Sequence, residues 1–156
     1  MPDIDVDVRV ASPAWTKNVD GPETVARRAA TAACRQCFEG PTSEISILLC
    51  DDAAIRDLNR TYRNQDQATD TLSFPADAPV SERPPLGDIV VAFETAAGDA
   101  AAQGKSLTDH LAHLVVHGCL HLLGHDHGAD RPAAKMEALE AKILASLGIA
   151  DPYGLP

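Results

Sequence analysis

The chain has 156 residues, 45% of them apolar, with 13 basic against 23 acidic side chains and a net charge of −10. Those figures suit one ordinary globular domain with a real core. They exclude bulk affinity for nucleic acid, which rests on Lys and Arg meeting phosphates, so an RNA contact has to be a local basic patch. Met1 is followed by neither an export leader nor an apolar run of about 18 residues, so no membrane association is expected and the cytoplasm is the expected compartment.

Ile4, Val6, Val8 and Val10 alternate with Asp5, Asp7 and Arg9, the period of a strand with one buried face. Pro22 to Phe38 reads as a helix entered through a proline in its first turn. Ile45 to Cys50 is a continuous apolar run, as in a strand buried on both faces. Asp51 and Asp52 then cap a helix that carries Ile55, Leu58 and Tyr62 on its inner face. Thr71 to Phe74 and Asp88 to Phe93 supply two further strands, separated by a proline-rich stretch, Pro75 to Leu86, expected to be mobile. Beyond Glu94 the pattern is helical: a short Ala-rich helix to Gln103, a helix from about Ser106, and a last one with Met136, Leu139, Ile143 and Leu147 on one stripe. On that stripe Met136 reads as core packing. Four strands and five helices without repeat predict a single α+β domain over residues 1–156, a small mixed four-stranded sheet with the Ser106 helix packed centrally.

Cys34, Cys37, Cys50 and Cys119 do not resemble a secreted disulfide framework in a chain this long. Cys34-Arg-Gln-Cys37 lies inside an amphipathic helix without a second CxxC and reads as two semi-buried helix residues.

All six histidines lie between His110 and His127. His117 and His121, four apart on a helix, stack on one face and can aim two imidazoles at one point. Gly124 then ends the helix and lets the chain double back, bringing His127 toward them, with His125 competing for that third position. Three imidazoles leave a fourth tetrahedral position for water, the pattern of catalytic zinc, whose bound water has a pKa of roughly 7. His113 cannot share an ion with both His117 and His121, because eight residues of helix span about 12 Å. His113 and His110 read as supporting or rim residues, His110 the more solvated of the two. Asp126 can steady a ring nitrogen or cap the following turn. Leu111, Leu114, Val115, Val116, Leu120, Leu122 and Leu123 surround the histidine stripe, so the helix is expected to be buried with that stripe facing a cleft.

Where the zincin protease helix H-E-x-x-H carries its glutamate base, this chain has Gly118. That ranks peptide hydrolysis below phosphoester chemistry, in which a metal polarises the phosphoryl oxygen and a cation meets the developing charge. Arg56, Arg60 and Arg63 recur on one helix. Asp52 and Asp57 are expected to pair with the first two, which leaves Arg63 unpaired at the helix end, a position suited to bidentate phosphate binding.

Leu58-Asn-Arg-Thr-Tyr-Arg63, Thr69-Asp-Thr-Leu-Ser-Phe-Pro75, Leu86-Gly-Asp-Ile-Val90 and His117-Gly-Cys-Leu-His121-Leu-Leu-Gly-His-Asp-His127 occur in this order, followed by Met136-Glu-Ala-Leu-Glu140 and Asp151-Pro-Tyr153. The set resembles the YbeY family of bacterial ribosomal RNA maturation factors over nearly the whole chain. His125 departs from the pattern, standing where the family has an aromatic such as Tyr. The resemblance implies a zinc-dependent, single-strand-specific endoribonuclease acting in small-subunit (16S) rRNA 3′ end maturation and ribosome quality control. It implies one Zn2+ on His117, His121 and His127, a required Arg63, and ribosomal RNA with the ribosome or ribosomal proteins as partners, without DNA. Two other functions fit the same residues: a non-catalytic assembly factor whose zinc is closed by His125 or Asp126, and a metal hydrolase of a small phosphoester or amide. Activity on purified RNA separates the first, and turnover of small substrates alone would select the second.

Overall fold

A computed structural model describes residues 4–37, 43–76, 86–123 and 132–152. The opening alternation becomes β1 (Ile4–Val10), and the chain then turns into a short helix, α1 (Pro13–Asn18). The sequence reading missed α1, although its signal is local: the Ser12 hydroxyl accepts from the Ala14 N–H and Pro13 occupies the first turn. Trp15 anchors it, fully buried, donating its indole N–H to the Cys50 carbonyl at 2.9 Å and meeting Phe93 edge-on at 5.2 Å.

After α2 (Pro22–Cys37) come β2 (Ser43–Cys50), α3 (Asp52–Arg63), β3 (Thr71–Pro75), β4 (Gly87–Ala92), α4 (Phe93–Ala102), α5 (Leu107–Leu122) and α6 (Pro132–Ser146). The expected proline-rich loop falls largely at 77–85, outside the described residues. The four strands form one sheet in the order β1-β2-β4-β3. β1, β2 and β4 run parallel, and β3 pairs antiparallel with β4 at one edge. The fold is therefore α+β with the mixed sheet expected, carrying six helices among the described residues where five were read.

Ile45, Ile47, Leu49, Ile89 and Val91 pack on one face of the sheet with Ala26, Ala30, Ala33, Leu111, Val115 and Cys119 from α2 and α5. Cys50, Val90 and Ala92 pack on the other with Ile55, Leu58 and Phe74. β2 is buried on both faces only toward its C-terminal end; Glu44 and Ser46 are exposed, and Ser46 lies beside Asp7 and Asp88 on the neighbouring strands. Tyr62 also departs from expectation. It is 68% exposed, because α3 buries only Ile55 and Asn59 fully, and its ring meets Phe74 at 5.7 Å.

α5 is the central helix, in contact with α2, α4, α6, β3 and β4. Its close seat on the sheet explains Gly118, where a Cβ would stand 3.1 Å from three atoms of buried Ile89. A glutamate at that position would have to enter the core, so the missing zincin base follows from packing. Gly87 is equally constrained: at φ +144° its Cβ would lie 2.3 Å from the Phe74 carbonyl.

Candidate active site

α5 begins at Ser106, whose side chain accepts from the Asp109 N–H at 3.1 Å, and its regular register carries His113, His117 and His121 up one face. These three are half-buried while Leu111, Val115, Val116, Cys119 and Leu120 are buried, as expected for an apolar helix with a histidine stripe on a cleft. The Nε2 atoms of His117 and His121 stand 3.0 Å apart, their rings inclined at 72°.

The orientation of His117 comes from α6. Glu140 is fully buried, and its carboxylate meets Nδ1 of His117 through Oε1 and Nε2 of His113, at 2.8 Å, through Oε2. An ionised carboxylate only accepts, so facing an ionised Glu140 His117 carries its proton on Nδ1 and leaves the Nε2 lone pair toward His121. His113 thus meets the same carboxylate as His117. Glu140 was missed. Its signal was an acid on the apolar stripe between Met136, which is 1% exposed, and Ile143, which is 2% exposed, a place where a carboxylate needs a partner.

A cavity of about 300 Å³ opens beside the two imidazoles, lined by Arg63, Thr71, Leu72, Ser73, Pro75, His117 and His121. Arg63 reaches it from the end of α3, which Asn64 closes in the left-handed conformation at φ 57°. The guanidinium is not without a partner, as the sequence reading had it. It donates to the Ser73 carbonyl at 2.6 Å and lies 5.3 Å over the Phe74 ring. Arg60 pairs with Asp57 as expected. Arg56 instead pairs with Asp66 at 2.8 Å, because Asp52 accepts from the backbone and hydroxyl of Thr95. Another cavity, of about 770 Å³, lies on the sheet face toward α3, and no histidine lines it among the described residues.

Gly124, His125, Asp126 and His127 lie outside the described residues, so the described chain contributes His117 and His121 to the expected ligand set. Two converging imidazoles fit zinc well. Bonds of about 2.0–2.1 Å in a tetrahedral shell place ligand nitrogens roughly 3.3 Å apart, close to the separation here. His110, expected to be solvated, is only 3% exposed. Burial, then His113 and Lys105, push its pKa down to about 4. Together with Asp70 and Asp99 it forms a second group able to hold a metal, with ligand atoms within 4.8 Å of one another.

A family model described as endoribonuclease YbeY matches residues 14–148. The chain belongs to the YbeY endoribonuclease family. Among YbeY endoribonucleases, that of Paramagnetospirillum magneticum is 49% identical over 97% of this chain and 96% of its own length. That of Azorhizobium caulinodans is 48% identical over 98% of each, and that of Pseudomonas putida 48% identical over 96% and 93%. The solution structure of TM1509 from Thermotoga maritima shares the fold, with a TM-score of 0.57 at 19% identity over 96% of this chain and 99% of that one.

Proposed function

We propose that the protein is a zinc-dependent, single-strand-specific endoribonuclease that matures the 3′ end of 16S rRNA and takes part in ribosome quality control in the cytoplasm. The observation that carries this reading is the convergence of His117, His121 and Arg63 on one cavity under the edge of β3, in a chain whose relatives are endoribonucleases.

His117 and His121 hold the ion, with His127 as third ligand. When bound, zinc supplies a Lewis acid for a phosphoryl oxygen and lowers the pKa of water to about 7. The protein's own groups do the rest. Glu140 keeps the His117 proton on Nδ1, so Nε2 stays available whatever enters the cavity. Arg63 presents five N–H donors, one of them on the Ser73 carbonyl, and the others can meet the charge that gathers on a phosphate in the transition state. β3 is an edge strand, so its outer side can border an extended RNA strand, and a cavity of about 300 Å³ has no room for a duplex.

With a net charge of −10, the protein repels nucleic acid in bulk, which favours delivery of the RNA by the ribosome or a ribosomal protein. The test is metal content and RNA cleavage measured side by side on the wild type and His121→Ala. Loss of both supports the reading, and cleavage retained without zinc would overturn it.

A further inference from the structure

A second cavity, of about 660 Å³, runs along the histidine helix, with Asp70, Lys105, His110 and His117 in its wall. Asp70 and His110 of that wall group with Asp99, and the three come from separate elements. Asp70 stands just before β3, its carbonyl accepting from the Ala92 N–H at 2.8 Å. Asp99 lies on α4 and His110 in the first turn of α5. Side chains brought together from such distant points need compensating chemistry.

His110 is 3% exposed, and among the described residues neither of its ring nitrogens has a hydrogen-bond partner. A buried polar ring is normally satisfied by protein, water or an ion. One carboxylate oxygen from each of Asp70 and Asp99 and a ring nitrogen of His110 all lie within 4.8 Å of one another. Burial, reinforced by Asp99, holds the Asp70 carboxyl above its ordinary range. Lys105 lies in the same wall, but it does not serve as a hydrogen-bond partner of the His110 ring, so one buried imidazole and two crowded carboxylates still face one another.

We propose that Asp70, Asp99 and His110 form a second divalent-cation site, separate from the His117 and His121 pair. Its donor set of one nitrogen and carboxylate oxygens suits Zn2+ or Mn2+. A cation there neutralises the facing carboxylates and supplies the missing partner of His110. It also places positive charge in the wall that His117 shares, on the side from which the proposed RNA substrate would meet Asp70.

The test is metal stoichiometry on the full chain, stripped with chelator and dialysed against Zn2+ or Mn2+. Wild type should take two equivalents of Zn2+, Asp99→Asn and His110→Gln one each, and His121→Ala should keep the equivalent held by the carboxylates. Failure of the histidine pair is thereby distinguished from failure of this site. Asp99→Asn is isosteric on a half-buried helix position, so it stays informative where His110→Gln fails to fold, with circular dichroism as the check. Equal stoichiometry in wild type and Asp99→Asn would overturn the proposal and leave a proton shared between two carboxyls as the account of the cluster.

Discussion

The buried carboxylate of Glu140 bridges two histidines one helical turn apart, meeting Nε2 of His113 at 2.8 Å and Nδ1 of His117. Through that second contact an acid on α6 decides which nitrogen of His117 faces the cavity. Glu140→Gln should keep the packing but weaken the orienting bond, lowering zinc affinity roughly 10- to 100-fold, the usual effect of losing a partner behind a ligating histidine. Competition against a chromophoric chelator measures this. An unchanged affinity in a folded variant would show that His117 is oriented by packing alone.

On the proposed function, Arg63 bears on rate where Glu140 bears on metal. Arg63→Ala and Arg63→Glu should reduce RNA cleavage about 100-fold or more, the scale for removing a transition-state charge donor, with zinc content unchanged. Arg63→Lys should recover little, because a lysine cannot hold the Ser73 carbonyl, cover Phe74 and still present a planar fork to phosphate. Zinc lost along with activity would make the residue structural.

Much of this was legible because the relevant patterns are local. The alternation in β1, the Asp51 cap, which accepts from the Ala54 N–H at 2.9 Å, and the four-residue spacing of His117 and His121 each need only a few neighbouring residues. What escaped depends on distance in the chain. Glu140 lies 23 residues from His117, and Asp52 meets Thr95 across 43 residues, so helical spacing suggested Arg56 as its partner instead. His110 looked solvated because nothing beside it in sequence shows that Asp99 on α4 and Asp70 just ahead of β3 come up to the first turn of α5.

Gly87 links the sheet to the cavity. It pairs with Pro75 of β3, and at φ +144° a Cβ would come within 2.3 Å of the Phe74 carbonyl and 2.9 Å of Leu122. Gly87→Ala therefore has to displace backbone that cannot yield cheaply, costing about 2 kcal/mol or more. For a domain of this size the melting temperature should drop by about 4–8 °C. Cleavage should slow as well, because β3 lines the site. A variant that melts with the wild type would mean that β3 and β4 can separate without penalty.

Cys50 gives the protein a weakness at alkaline pH. The thiol is 1% exposed, and burial first, then the charges of Asp51, Asp52 and Glu94, push its pKa up to about 12. In the unfolded chain it would ionise near 8.5. Below that pH both states hold the proton and stability is undiminished. Between there and about 12 the unfolded state alone releases it, so folding loses about 1.4 kcal/mol for each pH unit climbed. Denaturant midpoints from pH 8 to 11 should therefore fall steeply in the wild type and less steeply in Cys50→Ala. The slope is the quantity to compare, since the substitution also removes packing. Native-state alkylation at pH 8 should leave Cys50 unmodified, and rapid labelling together with an unchanged slope in Cys50→Ala would show that water reaches the thiol.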